Sequence, residues 1–120
     1  MTQSSLQATE EASAAVVKAP DERVSLSSME AKIKEKYVVN VGELLNDADP
    51  DKPLDPKSPL YLMTACFLVM DNGFVLIGKT APASAKNFNR ELGEKFAYED
   101  AIRQLWPLEG YALREKLSQR

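Results

Sequence analysis

The chain contains no histidine and a single cysteine, Cys66. The missing histidine removes Ser-His-Asp and Cys-His catalysis, histidine-containing zinc sites and histidine-based pH switching. One cysteine cannot close an intrachain disulfide. No segment approaches the roughly 20 consecutive apolar residues of a transmembrane helix. The first residues lack the basic region and apolar stretch of a secretory signal. No membrane partner is therefore expected, and cytosolic residence is. Positive charge is also in the minority, with 15 Lys and Arg against 18 Asp and Glu and a formal net charge of -3. Non-specific nucleic-acid binding needs a surplus of cations to displace counterions, so nucleic acid is a disfavoured partner.

What is present suits one domain. A chain of 120 residues buries a smaller fraction of its surface than a large protein does, which makes oligomerisation an attractive remedy. Residues 1–23, rich in Ser, Ala, Thr, Gln and Glu, read as a flexible tail, disordered or transiently helical, with a segment that orders on a partner or a second subunit as the alternative. Residues 24–120 read as a single α+β domain. Ser27 or Ser28 can cap a helix, and Glu30 stands at the capping-box position if Ser27 is the cap. Leu26, Met29, Ile33 and Tyr37 recur at three- and four-residue spacing. This predicts an amphipathic helix over about Ser28 to Lys36, with Val38, Val39 and Val41 in an extended exit. Asn46 to Pro59, with four prolines and four aspartates, predicts a loop.

Tyr61 to Met70 and Phe74 to Thr80 predict two antiparallel strands joined at Asn72-Gly73, a strong signal for a two-residue hairpin turn. In that register Asp71 faces Phe74, Val69 faces Leu76 and Phe67 faces Gly78. Both faces of the hairpin are apolar, and both must be covered. Helices can do this within one chain. Pairing of hairpins across a homodimer or higher homo-oligomer would also do it, and is expected. Ser84 or Asn87 can cap a following helix running to about Leu105. Gly93 predicts close approach of another backbone, near Gly78. Pro107 predicts a break at Trp106, with a second helical segment to about Ser118.

The candidate sites are few. Asp47, Asp49 and Asp51 alternate as in a calcium loop, but Lys52 and Ser58 stand where that pattern needs glycine and glutamate, so no metal is expected. Cys66, within a strand, reads as a buried thiol. Glu99, Asp100 and Glu109 read as helix surface, a cap or a salt bridge. No cofactor or catalytic residue is indicated. Asp71, Asn72 and Phe74 at the hairpin tip, with Trp106 and Tyr111 at the helix break, are candidates for contact with a protein partner. Phe74, directly after the turn, is the one expected to be exposed, and Trp106 core or subunit interface. Lys79, Lys86 and Arg90, near the open end of the hairpin and a helix start, are candidates for an anion or nucleotide phosphate.

The run Cys66 to Phe74, then Gly78, Asn87-Phe88, Leu92-Gly93, Ala97, Ala101 and Trp106-Pro107-Leu108-Glu109-Gly110-Tyr111, resembles a family of small bacteriophage proteins. They are named after gene 49 of phage N4 and gene 66 of phage Sf6. The likeness is tightest over about residues 61–118, and Val24 to Tyr37 resembles the family's leading helix. The chain departs from the family pattern at Lys79, Pro82 and Asn89, where an acidic residue, a second cysteine and an aspartate are usual. The resemblance implies phage origin and action in the cytoplasm of an infected bacterium. It carries no established activity. The leading expectation is a non-enzymatic accessory protein that binds and modulates a host protein, for host takeover or counter-defence. The alternatives are a small-molecule binder sequestering a nucleotide defence signal, and a nucleic-acid-binding accessory protein.

Overall fold

The computed structural model describes residues 5–120. The class is α+β: four helices and a three-stranded antiparallel sheet, not the two-stranded hairpin expected. The elements run α1 (Ser5–Val16), α2 (Leu26–Glu30), β1 (Ile33–Asn40), α3 (Val41–Ala48), β2 (Thr64–Met70), β3 (Val75–Thr80) and α4 (Arg90–Ser118), with short 3₁₀ turns between. The sheet order is β1-β2-β3. One face packs on α4, and the core gathers there around Met29, Cys66, Leu68, Leu76, Ala97, Ala101, Ile102 and Leu105.

The additional strand comes from the segment expected to be helical. Ser25, rather than Ser27 or Ser28, is the helix cap, accepting from the Ser28 amide at 3.1 Å. The helix then stops after one turn, at Glu30. Ile33 to Asn40 pairs with β2, Tyr37 opposite Phe67 and Val38 opposite Cys66. The three- and four-residue spacing of Leu26, Met29, Ile33 and Tyr37 was a coincidence of two elements. A two-stranded sheet is marginal in water, and β1, rich in β-branched residues at its end, supplies the missing partner. Asn40 closes the strand and caps α3, its Oδ1 accepting from the Glu43 amide at 3.1 Å while Nδ2 donates to the Tyr61 carbonyl at 2.8 Å. The Pro- and Asp-rich loop therefore begins inside a helix, at Asn46, and is irregular only beyond Ala48.

The hairpin register differs by one residue from the expected one. Val69 faces Val75, Leu68 faces Leu76 and Cys66 faces Gly78. The loop has three residues, Asp71-Asn72-Gly73: the Gly73 amide donates to the Met70 carbonyl at 2.9 Å, and the Met70 amide to the Phe74 carbonyl at 2.9 Å. Only Gly73 has positive φ, at 89°, so this is a tight turn followed by a left-handed glycine. A one-residue slip exchanges the faces of β3. Leu76 and Gly78 are buried against the helix, while Val75 and Ile77 are exposed. The helix contact explains the choice. A Cβ at Gly78 would lie 2.0 Å from the Ala97 carbonyl oxygen and 2.5 Å from the Ala101 nitrogen. The close backbone approach thus occurs at Gly78 itself, whereas Gly93 abuts the Thr64 hydroxyl.

Helix α4 is continuous through Pro107 rather than broken. Ser84 caps a 3₁₀ turn, and Asn89, not Asn87, caps α4 by accepting from the Leu92 amide at 3.0 Å. Proline inside a helix costs about 3 kcal/mol or more through the lost bond to the residue four back, here Arg103. Tertiary contacts on both sides offset it: Leu105 is buried and Trp106 packs on the core before the proline, and Glu109 pairs with Lys32 after it. At 29 residues α4 is about 43 Å long. The molecule measures 57 × 32 × 19 Å.

The segment expected to be a tail is helical over Ser5–Val16 and buries Leu6 in the core. Glu10 accepts from both Arg23 and the Leu26 amide, which joins α1 to the start of α2. Residues 1–4 of that segment lie outside the described residues.

Candidate functional site

The hairpin tip and the second half of α4 enclose a cleft of about 510 Å³. Its floor is Met70 and Leu105, both buried. Phe74, 51% exposed, and Leu108, 47% exposed, form apolar walls, with Ala112 beyond. Asp71, Asn72, Lys32 and Glu109 supply the polar groups. Local chemistry holds the tip in place. Asn72 Oδ1 accepts from the Phe74 amide at 3.0 Å, and the Asp71 amide donates to the Lys32 carbonyl at 2.9 Å, tying the turn to the start of β1. Lys32 Nζ meets Glu109 Oε2 at 2.7 Å. This pair is partly exposed and worth no more than about 1 kcal/mol, so its main effect is to align the tip with α4.

A second cleft of about 220 Å³ shares Lys32, Glu109 and Ala112 with the first, and adds Arg23, Val24, Ser28, Leu113 and Lys116. The two form one groove along α4, apolar toward the hairpin and mixed toward α2, where Arg23 and Lys116 stand beside Val24 and Leu113. Its cations are not all free: Arg23 pairs with Glu10 and Lys32 with Glu109.

Of the residues expected to meet a protein partner, Asp71, Asn72 and Phe74 converge on the cleft. Trp106 instead packs partly buried against the core, and Tyr111, 72% exposed, does not line the cleft. The three candidate phosphate ligands stand on three different elements. Arg90 Nη2 meets Glu43 Oε1 at 2.8 Å, Lys86 lies in the 3₁₀ turn, and Lys79 is exposed on β3. None lines these clefts or a third, of about 210 Å³, between Pro82 and Phe96. Lys32, Leu108 and Ala112 were not foreseen as site residues, and Glu109, read as surface, cap or salt bridge, forms the salt bridge with Lys32. Leu108 and Glu109 stood inside a run already singled out, but nothing local links Glu109 to a lysine 77 residues away.

The remaining chemical groups are structural. Burial pushes the Cys66 thiol above its ordinary range, with Lys36 opposing weakly, so it is a packed core group. Tyr98 donates to Glu30 and lies under the Lys36 ammonium, 4.3 Å from the ring centre. Glu99 is not on the helix surface as expected: it is 3% exposed, and its Oε2 has no hydrogen-bond partner. In the acidic loop, Asp49 and Asp55 accept from the amides of Asp51 and Lys57. Among the described residues no group of three or more His, Cys, Asp or Glu is arranged to hold a metal ion, and no helix is long and apolar enough to cross a membrane.

Two side chains of α4 cap part of the free edge of β3. Asp100 Oδ2 accepts from the Lys79 amide at 2.9 Å, and Gln104 Nε2 donates to the Ile77 carbonyl at 2.9 Å. These side chains occupy the groups that another strand would use.

A family model matches residues 24–117, most of the chain, and describes the phage protein (N4 Gp49/phage Sf6 gene 66) family. No curated protein and no solved structure matches. The chain belongs to this phage family.

Proposed function

Starting from that membership, which implies expression in an infected bacterial host, we propose that the protein is a non-enzymatic accessory factor that binds and modulates a host protein in the cytoplasm. The observation that carries this reading is the cleft at the hairpin tip. Phe74 and Leu108 hold apolar surface open to solvent on rigid elements, and Asp71, Asn72, Lys32 and Glu109 ring it with hydrogen-bonding groups. An apolar centre with a polar rim is the arrangement of a protein-recognition patch. Host takeover or counter-defence is the class of role such a factor would serve.

The test is to purify the tagged full-length protein and its Phe74→Ala variant from the bacterial host. A stoichiometric host protein should accompany the first and be lost from the second, at least about tenfold weaker in direct titration, with an unchanged melting temperature. Equal retention by both proteins would refute the cleft as the contact surface.

A second reading is supported by the dimensions and rim of the same groove. A volume near 510 Å³ lies in the range of small-ligand pockets, and Arg23, Lys32 and Lys116 border its extension. This favours a nucleotide-sized anion, sequestered as a defence signal. The cations are then different from Lys79, Lys86 and Arg90. A melting-temperature rise with one member of a nucleotide panel, abolished in Lys32→Ala, would transfer the assignment to this reading.

A further inference from the structure

The sheet has a second face that the chain covers only in part. The register sets its outward residues in three rows: Glu35, Val69 and Val75; Tyr37, Phe67 and Ile77; Val39, Ala65 and Lys79. Seven of the nine are apolar or aromatic; Ala65 is already buried within the chain, and Val39, Phe67 and Val69 are half-buried. Tyr37, Val75 and Ile77 are 56%, 54% and 52% exposed, although Phe67 and Val69 beside them belong to the central strand. Apolar surface of this kind on a sheet marks an interface.

The two charges on this face identify the occupant. Glu35 and Lys79 stand at diagonally opposite corners of a patch roughly 10 Å by 14 Å. Both are exposed, and neither has an ion-pair partner among the described residues. Tyr37 donates to Glu35 Oε1 at 2.9 Å, which aims the carboxylate and leaves its other oxygen available. Consider two such faces related by a two-fold axis lying between them. An axis along the strands sets Glu35 against Val75, and one across the strands sets it against Val39. An axis along the Glu35–Lys79 diagonal sets each charge against itself. An axis close to the other diagonal sets Glu35 of each copy against Lys79 of the other, twice, with Phe67 on Phe67 at the centre. The strands then cross steeply, near the orthogonal class of sheet packing. The face is self-complementary in charge in one symmetric arrangement, which is the property of an isologous interface.

We propose that a second copy of this chain covers the outer face of the sheet, packed face to face with the strands crossing and Glu35 of each copy paired with Lys79 of the other. Continuation of the sheet at β3 is obstructed by Asp100 and Gln104, which hold the Lys79 amide and the Ile77 carbonyl; β1 is the sheet's other edge. The proposal is independent of the cleft, which lies on the α4 side.

Light scattering and sedimentation of the full-length protein, across the micromolar range, test it. The wild type should be a dimer. Glu35→Lys and Lys79→Glu, each placing like charges together at two symmetric points, should weaken dimerisation at least about tenfold. The double exchange should restore it. Circular dichroism of the three variants should match the wild type, since both positions are exposed. A monomeric wild type would overturn the proposal, as would a dimer indifferent to both single exchanges. Single exchanges that weaken the dimer without rescue in the double variant would refute the pairing of Glu35 with Lys79.

Discussion

Gly78→Ala tests the contact on which the fold turns. The new methyl carbon would stand 2.0 Å from the Ala97 carbonyl oxygen, 2.5 Å from the Ala101 nitrogen and 2.9 Å from the Ala101 Cβ. Two of these three are backbone atoms of α4 and cannot swing aside. Restoring an ordinary separation of roughly 3.5 Å requires the helix to withdraw by about 1.5 Å, opening the contacts of Leu68, Leu76, Ile102 and Leu105 with one another. Overpacking of this kind costs about 1–3 kcal/mol, with backbone neighbours toward the upper end. Alanine regains about 0.5–1 kcal/mol over glycine in a strand, which leaves a net loss of about 2 kcal/mol. For a domain of this size that is a fall of about 8 °C in melting temperature. Gly110→Ala is the internal control. No atom lies within 4 Å of its added carbon, and replacing a helical glycine should stabilise by about 0.5–1 kcal/mol. Thermal melts followed by circular dichroism would compare the two variants with the wild type. An unchanged or raised melting temperature in Gly78→Ala would refute both the close approach and the register that places Gly78 beneath the helix.

The other predictions are narrower. Glu99 carries a buried oxygen without a partner, so Glu99→Met should stabilise the protein by about 1 kcal/mol in urea titration; destabilisation would show that the carboxyl is held. Burial, and then the bond to Glu30, raise the Tyr98 hydroxyl above its ordinary pKa. Its contribution to stability is therefore complete below pH about 10, where the unfolded tyrosine begins to ionise, and is lost as pH rises toward the folded value. Melting temperature should fall above that pH in the wild type and fall less in Tyr98→Phe; parallel curves would remove Tyr98 from the linkage. Phe74→Ala should lose the host partner at constant stability, and the Glu35 and Lys79 exchanges should dissociate and then restore the dimer.

The sequence by itself determined the features that depend on neighbours in the chain. Asn72-Gly73 located the turn, because only a glycine accepts the left-handed conformation there. The α+β class, a helix following β3 and the exposure of Phe74 were legible from turn chemistry and apolar runs, but the cap that starts this helix, Asn89, was not. Three of the eventual cleft residues, Asp71, Asn72 and Phe74, were singled out from the tip alone. What tertiary structure decided were choices between local alternatives of similar energy. Asp71-Asn72-Gly73-Phe74 suits a two- or a three-residue loop, and packing Gly78 under Ala97 and Ala101 selected the second. Ile33 to Tyr37 continues a helical spacing or forms a strand, and the open edge of β2 selected the strand. Pro107 ends an isolated helix, but Leu105 and Trp106 in the core and the Lys32–Glu109 pair carry α4 through it. Burial of Leu6 likewise recruited a polar N-terminal segment that has little apolar surface of its own. Each of these outcomes depends on contacts between residues far apart in the chain. Such contacts leave no periodicity to read, yet each contributes an energy comparable to the local preference it overrides.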